Sequence, residues 1–232
     1  MSKVIDQYLG VLRGKMGPSV FKMVDGDPYA AKAPHFKLIN NDPLVLARRA
    51  RFGMTMKLGH CINAISQLKQ FWKKFDVPAH PKAKNVCNKV VVMNYPYTSA
   101  SGFSNFAMLV PDKGFKVTAT SITLTNTEIT VVLAAIGESS FIDPAVDVSC
   151  RLACVLVLSN PTNPEEVPTR LFHLISDSTT LSLTNPMTIE ITVDDYEGQY
   201  FDGYTTQKAL FALISMDADD VPKNYSNTFR SA

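Results

Sequence analysis

The side chains best suited to chemistry are scattered along this chain. The four histidines are His35, His60, His80 and His173. None falls in an HxH or HExxH arrangement, so a zinc site would need ligands from distant segments. The four cysteines are Cys61, Cys87, Cys150 and Cys154, and no two form a CxxC pair. If Cys150 and Cys154 share a strand, four residues place them about 13 Å apart, too far for a disulfide. They read as small buried hydrophobes in a reducing compartment. Gly102-Phe103-Ser104 continues with Asn105-Phe106, so there is no GxSxG elbow, and neither GxGxxG nor GxxxxGK occurs. Acidic side chains cluster at Glu165-Glu166, at Asp194-Asp195 and at Asp217, Asp219 and Asp220. The last run resembles a loose calcium loop but lacks the glycine and closing glutamate of an EF-hand. A solvated strand end is the default reading and a calcium or partner-binding cluster the sharper one. No enzyme, cofactor or metal is expected from this set.

The basic residues carry more of a functional pattern. Arg48, Arg49 and Arg51 are clustered, Lys69, Lys73 and Lys74 share one stretch, and Lys82, Lys84 and Lys89 follow. The net charge of +2 conceals two unlike parts. Residues 1–89 hold 16 Lys and Arg against 5 Asp and Glu, a net +11; residues 90–232 hold 7 against 16, a net −9. The basic part is expected to attract nucleic acid, a nucleocapsid or an anionic membrane surface. No aromatic residues interleave with the cations, so nucleic-acid contact would be to phosphates and not base-specific. Two other readings stay open. The basic part folds on the acidic part of its own chain, for example Arg48, Arg49 and Arg51 on Asp217, Asp219 and Asp220, or it meets the acidic part of the next copy.

The elements that would position these residues differ before and after Lys89. Over 1–88 the pattern predicts short helices. Val4, Ile5, Tyr8, Leu9 and Leu12 recur at helical spacing behind Ser2, a cap, with Gly14 and Gly17-Pro18 as stops. Asp42-Pro43 starts a second helix, with Arg48, Arg49 and Arg51 in its last turn and Gly53 at its end. A third spans 60–75, where Cys61, Ile65, Leu68, Trp72 and Phe75 share one face. That face either packs on the main domain or rests on lipid or nucleic acid. Pro78 and His80-Pro81 make 76–86 a stiff linker.

From Lys89 the period becomes 2, with candidate strands at 89–95, 103–110, 115–125, 128–136, 146–159, 170–176, 179–184, 187–193 and 208–216. Val148, Cys150, Leu152, Cys154, Leu156 and Leu158 alternate over eleven residues. The opposite face turns apolar at Ala153, Val155 and Val157, as in a strand covered on both sides. Turns are marked by Asp112-Lys113-Gly114, Thr125-Asn126-Thr127, Asn160-Pro161, Asn163-Pro164 and Asn185-Pro186. The expected fold class is mainly β: an antiparallel two-sheet sandwich, jelly-roll-like, at 89–232, preceded by a basic region with short helices at 1–88.

Composition agrees with a folded protein. Of 232 residues 46 % are apolar and 19 % charged, which excludes disorder over most of the length. No run approaches the roughly 18 apolar residues of a membrane span. No apolar stretch follows Met1, so no cleaved signal peptide is expected.

In outline, the basic set before Lys89 and the strand runs from Val90 to Met216 resemble a viral jelly-roll coat protein. Such proteins usually begin with a dense basic arm, whereas residues 1–12 here contain only Lys3. The outline is also similar to matrix proteins of negative-strand RNA viruses, although PPxY is absent and only Tyr95-Pro96-Tyr97 comes near it. Movement proteins of the thirty-kilodalton type share a β-rich middle. The resemblance implies a virion structural protein that self-assembles and contacts nucleic acid or nucleocapsid through Arg48, Arg49, Arg51, Lys69, Lys73, Lys74, Lys82 and Lys84, located in the virion and the host cytoplasm. A matrix protein touching an anionic membrane, a movement protein, and a small ligand-binding sandwich or enzyme with a site assembled from distant loops are the alternatives.

Overall fold

The computed structural model describes residues 42–77, 80–137 and 141–231 with their side chains, and the backbone of 2–3, 14–16, 19–24 and 27–32. The chain divides into two compact units, 1–46 and 47–232. The first holds four antiparallel strands, β1 (Ser2–Lys3), β2 (Gly14–Met16), β3 (Ser19–Val24) and β4 (Asp27–Lys32), in the order β1-β4-β3-β2. The described part before residue 42 is therefore strand, not the expected short helices. Val20, Phe21, Val24 and Tyr29 suit a pleated surface, and Ser2, expected as a helix cap, lies in β1. The helix expected over residues 4–12 lies outside the described residues.

Three helices follow. α1 (Pro43–Ala64) starts where Asp42-Pro43 predicts, with the Asp42 carboxylate accepting the Leu44 N–H at 2.9 Å. It does not stop at Gly53. A helical glycine costs only about 1 kcal/mol relative to alanine, and a row of helix formers on either side outweighs it. Arg48, Arg49 and Arg51 thus occupy the first half of a 22-residue helix and not its last turn. The backbone breaks at Ile65 (ψ 107°) before α2 (Ser66–Lys74), so the helix expected over 60–75 is two. Its apolar face is nonetheless buried at Cys61, Ile65, Leu68 and Trp72. α3 (Val86–Asn94) replaces the strand expected at 89–95. The unalternating run Val90-Val91-Val92-Met93 is ambiguous between strand and helix, and the Asn85 side chain decides by accepting the Asn88 N–H at 2.7 Å. A 3-10 turn, Tyr95–Tyr97, comes next.

The strands of the second unit are β5 (Ala119–Leu124), β6 (Glu128–Leu133), β7 (Ser149–Pro161), β8 (Thr169–Ile175), β9 (Thr179–Thr180) and β10 (Met187–Thr192). α4 (Asp195–Phe201) sits between the strands expected at 187–193 and 208–216, before β11 (Tyr204–Met216), β12 (Pro222–Tyr225) and β13 (Phe229–Arg230). The strand expected at 103–110 is irregular, with a single bridge from Phe103 to Thr98. The one expected at 115–125 begins only at Ala119. At the preceding turn Gly114 takes φ +57°, and any Cβ there would strike the Tyr225 carbonyl.

The antiparallel two-sheet sandwich is present. One sheet has the order β10-β6-β5. The other has six strands along β12-β11-β7-β8, with β13 on β11 and β9 on β7. All pairings within both sheets are antiparallel. The connectivity refines the jelly-roll-like expectation. β6 pairs with β10 in one sheet while β7 pairs with β11 in the other, so the two connections cross. This is the strand order of an immunoglobulin-type Greek key, with β5, β6 and β10 as A, B and E and β7, β8, β11 and β12 as C, C′, F and G.

β7 and β11 have two apolar faces because they have two neighbours. Cys150, Leu152, Cys154, Leu156 and Leu158 face the three-stranded sheet, meeting Ile129, Val131, Ile189 and Ile191. Ala153, Val155 and Val157, with Leu210, Ala212 and Ile214 of β11, face the helices, meeting Leu58, Ile62, Leu68 and Trp72. The second unit is thus three layers: sheet, sheet and helices. The Trp72 indole N–H donates to the Leu109 carbonyl at 2.7 Å and is fully buried, so this face belongs to the core and does not meet lipid or nucleic acid.

Candidate functional site

The eight basic residues singled out by the sequence fall into different settings. Arg48 and Arg49 are exposed on α1. Arg51 is half-buried. Its Nε donates to the Tyr95 carbonyl at 2.8 Å and its guanidinium lies 4.3 Å from the centre of the Tyr95 ring, so it fastens α1 to the turn after α3. Lys73 and Lys74 are exposed and Lys69 half-buried on α2, while Lys82 and Lys84 are exposed before α3. α2 packs on α3, and Arg48 is separated from the end of α1 at Ala64 by about 24 Å of helix. The arginines and lysines therefore occupy separate elements.

Lys89, grouped in the sequence with Lys82 and Lys84, is buried. Its ammonium donates to the Lys73 carbonyl at 3.1 Å and to the Phe75 carbonyl, with Asp76 at 4.0 Å.

Among the described residues the acidic run pairs elsewhere than with Arg48, Arg49 and Arg51. Asp217 pairs with Lys223 at 2.7 Å, and Asp220 with Arg151 at 2.6 Å. Asp217 Oδ1 also accepts the N–H groups of Asp219 and Val221, which closes the turn between β11 and β12. Lys223 beside Asp217 holds that carboxyl below the usual carboxylate range. No three His, Cys, Asp or Glu side chains are grouped for a metal among the described residues. His60, His80 and His173 are exposed, and His35 lies outside the described residues. Burial pushes the thiols of Cys61 and Cys150 up to about 12 and that of Cys154 upward as well, so none is poised as a nucleophile.

One feature was not visible in the sequence. The helix-facing side of β7 and β11 extends past the helices, and a groove of about 920 Å³ opens there. Its wall is the segment 97–104, held by Ser99 N–H to the Gly102 carbonyl at 2.8 Å and Ser104 N–H to the Tyr97 carbonyl at 2.8 Å. Arg230 braces that wall, donating to the carbonyls of Ser104 at 2.6 Å and Ala107 at 3.2 Å. The floor is made by two cross-strand pairs on one face of the sheet, Ser159 with Thr206 and Val157 with Lys208. The groove draws on four separate stretches of chain, and only the small polar composition of Ser99, Ser101, Gly102 and Ser104 hinted at a wall. A comparison with protein-family models and with curated proteins finds no match to the chain.

Proposed function

We propose that the protein is a structural one. It assembles with copies of itself, as in a virion shell, and contacts nucleic acid or nucleocapsid through basic residues of its N-terminal part. The observation that carries this reading is the first half of α1. Leu44, Leu46 and Phe52 are 67 %, 45 % and 51 % exposed there, beside the exposed Arg48 and Arg49. A helical stretch with so little buried is not stable by itself in water, and exposed apolar side chains on it supply contact area for a partner. The charge division adds direction: the basic part of one copy is attracted to the acidic sandwich of the next. Such a contact joins two different surfaces, and heterologous contacts propagate into rings, tubes or shells.

The test is electron microscopy and size-exclusion chromatography of the purified protein at low and high salt. Regular shells, tubes or sheets that dissociate with salt are expected. A monomer at every salt and protein concentration rejects the reading.

A further inference from the structure

We propose that the groove beside the 97–104 segment is a binding site for a small polyhydroxylated anion, a sugar acid. Its volume of about 920 Å³ lies within the range of small-molecule sites. It is built in advance, because the wall is fixed by its own backbone hydrogen bonds and by Arg230, and the floor is two paired strands.

Charge selects the ligand's sign. The charged side chains lining the groove are Lys208 and Arg230, with no carboxylate side chain among them. Arg230 is spent on the wall. Elsewhere in the sandwich, Arg151, Arg170 and Lys223 each hold an acidic partner. Lys208 is exposed and has no ion pair or hydrogen bond among the described residues, in a part of the chain carrying net −9. It is the cation available to an incoming anion.

The neutral lining selects the rest of the ligand. Ser101, Asn105, Ser159 and Thr206 offer groups that both donate and accept, the pairing a ring of hydroxyls needs. Tyr97, tilted at 45° to Phe106 with ring centres 5.7 Å apart, supplies an aromatic flank for the ring's C–H face. The acidic group is a carboxylate or a phosphate, and Lys208 accepts either.

The experiment is ligand-observed NMR and calorimetry on the full chain with D-glucuronate, glucose 6-phosphate, glucose and acetate. At least one of the two sugar acids should bind, about tenfold or more tighter than glucose or acetate. Glucuronate alone identifies a carboxylate site and glucose 6-phosphate alone a phosphate site. Lys208→Gln should weaken the acid about tenfold while leaving the melting point unchanged, since that side chain is exposed. Gly102→Phe places a ring in the groove mouth from a position where a Cβ meets open space, and should abolish binding in a folded protein. No binding of either acid to the folded chain overturns the proposal. So does glucose or acetate binding as tightly as the acid, or an affinity indifferent to both substitutions.

Discussion

The ammonium of Lys89 on α3 donates to the carbonyl of Lys73 on α2 at 3.1 Å, and that bond ties the end of one helix to the flank of another. The last carbonyls of a helix lack partners within it, and they carry the negative end of the helix dipole. Lys89 supplies both the donors and the compensating charge from a position only 4 % exposed. Lys89→Met keeps the stem and removes the ammonium. It should lower stability by about 2–3 kcal/mol, the cost of leaving charge-assisted bonds unmade. Denaturant unfolding measures it. An unchanged midpoint would mean that water replaces the ammonium without loss.

Trp72 is the largest fully buried side chain of the layer between the helices and the six-stranded sheet. Trp72→Ala should cost about 3–5 kcal/mol. Trp72→Phe keeps most of the apolar volume but orphans the Leu109 carbonyl, and should cost about 1–3 kcal/mol. Flotation with anionic liposomes should be the same for wild type and Trp72→Phe, because this face is turned inward.

The sandwich was legible where side-chain alternation reports burial directly. In β7 the even positions from Cys150 to Leu158 face one layer, and Ala153, Val155 and Val157 face another, as the pattern of two apolar faces requires. Local signals were weaker where tertiary contacts decide. Val90-Val91-Val92 looks like strand until Asn85 caps it and the Lys89 contact locks α3 to α2. Gly53 looks like an end but sits within an unbroken helix. Arg51 was grouped with Arg48 and Arg49 by adjacency, yet its distant partner Tyr95 sets its role. The groove is further from reach, since Ser101, Ser159, Lys208 and Arg230 come together only through strand pairing and one wall segment. The charge division is plain in the composition, but composition does not say which cations are spent internally.

The thiols give an alkaline signature. Cys61 and Cys150 are raised from an ordinary value of 9.0 to about 12 by burial. A raised value means the folded state keeps the neutral thiol where the unfolded chain would ionise. The stabilising preference is complete below about pH 9 and is lost as pH climbs from there towards 12. Unfolding free energy should therefore decline on that limb, and less steeply in Cys61→Ala once its cavity cost is subtracted. Ellman's reagent at pH 8 should find these two thiols and Cys154 unreactive in the native protein and all four cysteines reactive in denaturant. Fast native labelling of Cys61 or Cys150 would show that the core opens far more readily than its packing implies.

Arg48 and Arg49 are expected to behave unlike Arg51, although all three lie within four residues of α1. The first two are exposed, and no hydrogen bond or ion pair holds either among the described residues; the third is held by Tyr95 through a hydrogen bond and its ring. Replacing Arg48 and Arg49 together by alanine should leave the melting point unchanged. It should also reduce the salt dependence of RNA binding, the slope of log K against log salt, by about 1 to 2, since each lost phosphate contact removes roughly 0.7 for a single strand. Binding should be equally weakened for every base sequence, because phosphate contacts carry no sequence information. Arg51→Ala should do the reverse, lowering stability by about 1–2 kcal/mol as the cation–π contact and the bond to the Tyr95 carbonyl disappear, with a smaller change in slope. Fluorescence anisotropy of labelled RNA at several salt concentrations, beside melting curves of both variants, separates the two roles. If the double variant instead melts lower and the wild type shows a flat salt response, Arg48 and Arg49 serve contacts between protein surfaces, and the polyanion part of the proposed function falls while the assembly part stands.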